Sequence, residues 1–135
     1  MIRITREQRE KVGEPAFVGR VVQHFKIFHL DLVYALPDLL LRKRIRHGLA
    51  RGRSYGLTWE YNLTVFVAHM FRIHPEWHLQ PAIHRVLTDP SIEPDERINA
   101  LPARVSNDDW DDAYLRGEPD DYWQALEAAP PGERE

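Results

Sequence analysis

The prolines of this chain fall where helices begin, and their placement constrains the fold more than any other feature. A stretch with apolar residues at spacings of three and four follows each of Pro15, Pro37, Pro81, Pro94 and Pro119. Proline is favoured in the first turn of a helix, where its missing N–H would have no partner. No stretch of alternating β-branched residues competes with this interpretation. The sequence therefore predicts an all-α protein, a compact single-domain bundle of about five to seven helices.

The N-terminal half of the chain should contain three helices. After a short turn or helix at residues 5–12, a first long helix is predicted over residues 15–30. Its inward stripe consists of Phe17, Val21, Phe25 and Phe28. A second helix should run from Pro37 to about residue 55, with Gly56 as a left-handed cap and with Leu40, Leu41, Ile45 and Leu49 facing inward. Thr58 is a good N-cap for a third helix, whose apolar positions are Leu63, Phe66, Val67, Met70 and Phe71.

Shorter helices should follow towards the C-terminus. One is predicted over residues 81–87, and another begins at Pro94 and should end or kink at Pro102. Ser106 stands three residues before Asp109, a pattern typical of a capping box at the start of a helix. A last helix is predicted over residues 120–129. We expect one helical domain over residues 1–129 and a disordered tail over residues 130–135.

The chain has 135 residues and no cysteine, so a disulfide framework or a thiolate metal site is excluded. Its apolar runs, such as Leu39 to Leu41, are far too short to span a bilayer, and the charged N-terminal segment does not resemble a secretory signal. We therefore expect a cytoplasmic protein that is not bound to a membrane.

Charge is divided unevenly along the chain. Residues 1–92 contain 14 Lys and Arg against 8 Asp and Glu, a net of +6, whereas residues 93–135 contain 4 Arg against 13 acids, a net of −9. Such a division can steer a partner to one face, or the acidic part can fold back on the basic part.

Histidines and carboxylates are the only candidates for chemistry. His74 and His78 have a spacing that can place two imidazoles on one helix face for a metal, but Pro75 lies between them, and no His-Glu-x-x-His motif is present. Glu60 or Glu76 could act as a general base near a histidine. No nucleophile, phosphate-binding or dinucleotide motif supports this, so we expect no enzymatic activity, metal or cofactor.

A basic cluster is the strongest local charge signal. It comprises Arg42, Lys43, Arg44, Arg46, Arg51 and Arg53. Such a helix could neutralise phosphates, and nucleic-acid binding is the functional alternative that follows. The low isoelectric point of about 6.2 and the acidic C-terminal part oppose it. The competing interpretation is a solvated helix face that meets the chain's own acids.

Two clusters near the C-terminus combine carboxylates with large aromatic residues. The candidate partner-binding residues are Asp108, Asp109, Trp110, Asp111, Asp112 and Tyr114 in the first, with Asp120, Asp121, Tyr122 and Trp123 in the second. Aromatic residues offer contact area, and acids steer a basic partner. Alternatively, Trp110 and Trp123 pack on the helical core while the acids lie at helix N-termini.

The segment Ile-Arg-His-Gly-Leu-Ala-Arg-Gly-Arg-Ser-Tyr-Gly-Leu, residues 45–57, resembles small helical proteins encoded beside type VI secretion effector, PAAR and VgrG genes. Residues 66–71, 86–90 and 95–101 resemble later segments of that family in the same order. The resemblance implies an accessory protein, an adaptor or chaperone that binds a secreted effector or a spike component. An immunity protein that blocks a toxin through the acidic aromatic clusters is the nearest alternative.

Two glycines of the same segment suggest a close helix contact. Gly48 and Gly52 are four residues apart and leave one helix face without side chains. Because each glycine costs about 1 kcal/mol of helix propensity relative to alanine, close packing should offset that cost. Such packing could lie within the domain or between two copies in a homodimer.

Overall fold

The structure, a computed structural model, describes residues 6–128, with side chains from Glu14 onwards. The described residues form eight α-helices and no strand, so the all-α prediction is confirmed. The helices are α1 Arg6–Phe28, α2 Leu30–Val33, α3 Asp38–Ser54, α4 Glu60–Arg72, α5 Pro81–Leu87, α6 Pro94–Arg104, α7 Asn107–Tyr114 and α8 Pro119–Ala128. A 3-10 turn, Trp77–Leu79, precedes α5. The tail predicted over residues 130–135 lies outside the described residues.

Several helix ends follow the local signals. Ser106 Oγ accepts a hydrogen bond from the Asp109 N–H at 3.1 Å, and the Asp109 carboxylate accepts one from the Ser106 N–H at 3.1 Å, which confirms the capping box. Gly56 has a φ of +89°, and the Leu57 N–H bonds the Gly52 carbonyl at 3.3 Å. This left-handed closure is the predicted end of α3.

Other helix ends differ from the predictions. Helix α1 begins at Arg6 and contains Pro15, and α6 continues past Pro102 to Arg104. Thr58 does not cap α4, whose N-cap residue is Trp59. The Thr58 hydroxyl instead donates a hydrogen bond to Asp95 Oδ2 at 2.7 Å. Asp95, in the first turn of α6, therefore joins two helix N-termini.

The chain divides into two compact units, Met1–Arg46 and His47–Glu135, and the single domain over residues 1–129 stays a prediction. In the first unit the buried apolar residues are Phe17, Val18, Val21, Val22, Phe25, Val33, Leu41 and Ile45. In the second they include Leu57, Leu63, Phe66, Met70, Trp77, Ile83, Leu87 and Leu101. No helix within the described residues is long and apolar enough to cross a membrane.

The glycine face of α3 is used inside the second unit. A Cβ on Gly48 would lie 2.9 Å from Val67 Cγ2, and one on Gly52 would lie 2.9 Å from Leu63 Cδ2. Both contacts are with α4. The two glycines therefore let α3 and α4 approach closely, and this face is not an exposed surface for a second copy.

Candidate functional site

An exposed apolar surface lies where α1, α2 and α3 follow one another in the first unit. Five large side chains there, which we call the apolar patch, are at least half exposed: Ile27 (69%), Phe28 (66%), Leu30 (55%), Tyr34 (77%) and Leu39 (67%). They fall within thirteen residues of sequence. Single exposed apolar residues are ordinary, but a concentration of this kind is typical of an interaction surface.

Local contacts hold the segment that bears the apolar patch. Lys26 Nζ lies 3.1 Å from Asp38 Oδ1, which ties the last turn of α1 to the first turn of α3. The His24 and Phe28 rings are 4.8 Å apart. The Tyr34 N–H bonds the Leu30 carbonyl at 2.9 Å, so these two residues are one turn apart. The patch is therefore part of the ordered structure and not a loose loop.

The prediction that Phe28 completes the buried stripe of the first helix was wrong. Phe17, Val21 and Phe25 are buried, but Phe28 is exposed. Helix α1 ends at Phe28, and α2 begins at Leu30, so the chain turns away from the direction of the stripe at this point. Spacing alone could not reveal that turn.

Cations border the apolar patch on α3. At 3.6 residues per turn, Leu39, Arg42 and Arg46 lie within roughly 60° of arc on one helix face. Neither arginine makes an ion pair within the described part of the chain. Leu39 therefore has two cations beside it on α3, which suits a partner whose apolar residues are flanked by Asp or Glu.

The six predicted basic residues do not form one continuous surface. Arg44 and Arg51 lie about 180° around α3 from Arg42 and Arg46, and Arg44 is buried, with 9% of its surface exposed. Arg53 shares the face of Arg42, whereas Lys43 lies between the two faces and is exposed. Nucleic-acid binding through this helix stays a prediction.

The acidic aromatic clusters separate into buried rings and exposed acids. Trp123 is 3% exposed and lies 5.4 Å from the Phe71 ring, while Trp110 is half-buried and stacks on Trp77 at 6.2 Å. These rings therefore pack within the second unit, as the alternative interpretation held. Tyr122 is half-buried, and Tyr114 is 50% exposed.

The acids of the same clusters lie in or near the first turns of α7 and α8. Asp109 belongs to the capping box, and Gln80 Nε2 lies 3.4 Å from Asp109 Oδ1 and 3.3 Å from Asp112 Oδ2. Hydrogen bonds from Ser106 lower the pKa of Asp109. The other four acids are exposed and remain candidates for partner binding: Asp108, Asp111, Asp120 and Asp121.

A row of polar side chains in the last turns of α3 and in the turn that follows it is the second notable feature of the second unit, and it was not predicted from the sequence. His47, Arg51 and Tyr55 are four residues apart, and we call them, with their partners, the polar row. His47 Nε2 lies 2.5 Å from the Tyr122 hydroxyl. The spacing of four was the sequence signal that could have found this row.

The Tyr55 end of the polar row contacts two further histidines. The Tyr55 hydroxyl lies 2.8 Å from His78 Nδ1 and 3.3 Å from His84 Nδ1. Burial, and then the charges of Arg51, His84 and His47, lower the pKa of His78 to about 4. His78 is therefore neutral near physiological pH. Its Nε2 is buried without a well-formed hydrogen bond.

His74 and His78, whose spacing was considered for a metal, have other partners. His74 Nε2 lies 3.2 Å from the Gly117 carbonyl, and His74 Nδ1 accepts a hydrogen bond from the Glu76 N–H at 2.9 Å. His78 is bonded to Tyr55. Among the described residues, no group of three or more His, Asp or Glu side chains is placed to hold a metal ion.

Comparison of the chain with protein-family models, curated proteins and solved structures gives no match.

Proposed function

We propose that this chain is a non-catalytic accessory protein of type VI secretion, an adaptor or chaperone that binds a secreted effector or a spike component in the cytoplasm. The observation that supports binding is the apolar patch, with five large exposed side chains at residues 27–39. The resemblance of residues 45–57 to proteins encoded beside effector genes supports the choice of partner.

The chemistry of the patch indicates what kind of segment it receives. Phe28 and Tyr34 offer rigid aromatic contact area, which is the usual source of the strongest contributions at a protein interface. Arg42 and Arg46 border Leu39 on one face of α3. A partner segment with apolar residues flanked by carboxylates would satisfy both features.

The test is co-expression with the effector and spike proteins encoded beside this chain, followed by measurement of affinity for the partner that co-purifies. The double variant Phe28→Asp with Tyr34→Asp should weaken binding by roughly 30-fold, because it places charge in the centre of the interface. Its circular dichroism spectrum and unfolding midpoint should match those of the parent protein, since both positions are exposed.

A matched control is available in the second unit. Leu115 is 82% exposed, so Leu115→Asp makes the same change at an apolar position outside the patch and should leave the affinity unchanged. Equal loss in both variants, or binding unaffected by the patch variant, would refute binding through the patch. Stabilisation of the partner without inhibition would support an adaptor or chaperone.

One observation favours the alternative of an immunity protein. Asp108, Asp111, Asp120 and Asp121 are exposed and lie in or next to the first turns of α7 and α8. Such an acidic surface could block a basic groove of a toxin. Lysine substitutions at Asp108 and Asp111 that relieve inhibition of the toxin would establish this role, and inhibition that persists in that variant would exclude it.

A further inference from the structure

The start of α4 has exposed aromatic side chains. Trp59 is 54% exposed and Tyr61 is 74% exposed, whereas Trp77 and Trp123 are buried and Trp110 is half-buried. Exposed tryptophan and tyrosine are typical of a protein interface, because each offers a large contact area at a small cost in conformational entropy. Of the four tryptophans, all of which lie in the described residues, Trp59 is therefore the one best placed to contact another molecule.

Hydrogen bonds join the start of α4 to the acidic start of α6. The Asp95 carboxylate accepts one from the Thr58 N–H at 3.0 Å and one from the Trp59 N–H at 3.1 Å, so the two helix starts are in contact. Glu93 and Glu96, on either side of Asp95 in the sequence, are exposed. Residues 88–96 contain four Asp and Glu and no Lys or Arg. The name α4–α6 surface is used below for the exposed residues Trp59, Tyr61, Glu93 and Glu96.

The apolar patch of the first unit has residues of complementary chemistry. Leu39 is 67% exposed, and Arg42 and Arg46 lie beside it on α3. Residues 39–46 contain four Lys and Arg and no acid. A guanidinium can pair with a carboxylate and can stack on a tryptophan ring, and the leucine adds apolar contact. The two surfaces therefore match in charge and in apolar character.

We propose that the α4–α6 surface of one copy of this chain binds the apolar patch of a second copy, so that the protein self-associates through two unlike surfaces. Leu39 and Trp59 are both exposed in the single chain, so each is available to another molecule. Burial of apolar area supplies the attraction, and the carboxylates of the α4–α6 surface orient the copies towards Arg42 and Arg46. This inference rests on the proposed function only in that the effector binds the same patch and therefore competes with the second copy.

The experiment is analytical ultracentrifugation of the full chain over a range of concentrations. Because both surfaces are small, we expect weak association, detectable between about 10 µM and about 1 mM and weaker at high salt. Trp59→Ser should weaken self-association by about tenfold or more, because it removes an aromatic side chain from the contact. Trp59 is the N-cap residue of α4, and serine is favoured at that position, so the helix should stay folded.

A matched control for Trp59→Ser is Leu115→Ser. Leu115 is 82% exposed in the second unit but is not part of the α4–α6 surface, so this variant should self-associate as the parent does. A parent protein that stays monomeric at every concentration, or equal loss of association in the two variants, would overturn the proposal.

Exchange of charge tests whether the two surfaces meet each other. One variant is Arg42→Glu with Arg46→Glu, and the other is Glu93→Lys with Glu96→Lys. Each alone should self-associate less than the parent by about tenfold, because like charges then meet. An equimolar mixture should associate again, since every patch in it can meet a surface of opposite charge. A mixture that stays monomeric would contradict the proposal, and restored association also shows that both variants are folded.

Self-association and effector binding are tested separately. The ultracentrifugation uses this chain alone, and the affinity for the effector is measured at concentrations too low for self-association. A chain that binds the effector through the patch but stays monomeric would refute only the self-association. A chain that self-associates but does not bind the effector would refute only the proposed function.

Discussion

His78 shows how burial sets the behaviour of a single residue. Only 5% of it is exposed, its Nδ1 contacts the Tyr55 hydroxyl, and Arg51, His84 and His47 act on it with the same sign of charge. Protonation there would place a cation in a buried setting beside other positive groups, which is unfavourable. The residue contributes stability only as a neutral ring.

The consequence is a defined dependence of stability on pH. The folded-state pKa of about 4 lies below the ordinary value of 6.5, so the unfolded chain binds more protons between these two values. The contribution of neutral His78 to the free energy of unfolding is therefore fully present above pH 6.5 and is lost as pH falls towards 4. The whole contribution is about 3 kcal/mol. His78→Asn keeps an acceptor for Tyr55 and should remove this component. Urea unfolding across the pH range measures it, and parallel curves for the two proteins would contradict the assignment.

At the scale of helices, the approach of α3 to α4 depends on residues without side chains. A Cβ on Gly48 would meet Val67 Cγ2 at 2.9 Å and the Met70 sulfur at 3.2 Å. The branched Val67 side chain has little freedom to move aside. By contrast, a Cβ on Gly19 in α1 would meet nothing within 4 Å.

The two glycines should therefore respond oppositely to alanine. Gly19→Ala should raise the free energy of unfolding by about 0.5–1 kcal/mol, because alanine restricts the unfolded chain and favours the helix. Gly48→Ala should lower it by roughly 1–3 kcal/mol, because the added methyl overpacks the contact with α4. Urea unfolding followed by circular dichroism gives both values. A higher free energy of unfolding in both variants would mean that α4 can move away from α3 at little cost.

The helix ends show which elements could be predicted from the sequence. Pro81, Ser106 and Gly56 act on the backbone next to them, so the helix ends that they mark were predicted correctly. Thr58 was misassigned because its hydroxyl bonds Asp95, 37 residues away. Phe28 was misassigned because exposure depends on where α2 turns the chain.

The candidate sites were less predictable, because they too depend on contacts between residues that are distant in the sequence. The acidic aromatic clusters were visible as composition, but only tertiary packing decides that Trp123 is buried while Asp120 and Asp121 are exposed. The polar row is assembled from α3, the 3-10 turn, α5 and α8, and its members are up to 75 residues apart. The spacing of four relates His47, Arg51 and Tyr55, at the end of α3 and in the turn after it, but it cannot identify their partners.

At the scale of the whole molecule, the two units have opposite net charge. Met1–Arg46 contains 10 Lys and Arg against 5 Asp and Glu, a net of +5, whereas His47–Glu135 contains 8 against 16, a net of −8. The proposed patch belongs to the first unit and the exposed acids to the second. An acidic partner should be attracted to the first unit and a basic partner to the second.

Charge reversal in each unit should therefore distinguish the two proposed roles by the rate of association. If a partner binds the patch, Arg42→Glu with Arg46→Glu should slow association by roughly tenfold at low salt, because attraction to an acidic segment becomes repulsion. Asp108→Lys with Asp111→Lys should leave that rate equal or higher. An immunity protein would show the reverse order, since a basic toxin is drawn to the acids. Stopped-flow measurements at two salt concentrations provide the check, because a steered rate falls as salt rises. Equal rates for both variants would show that neither charged surface guides the partner.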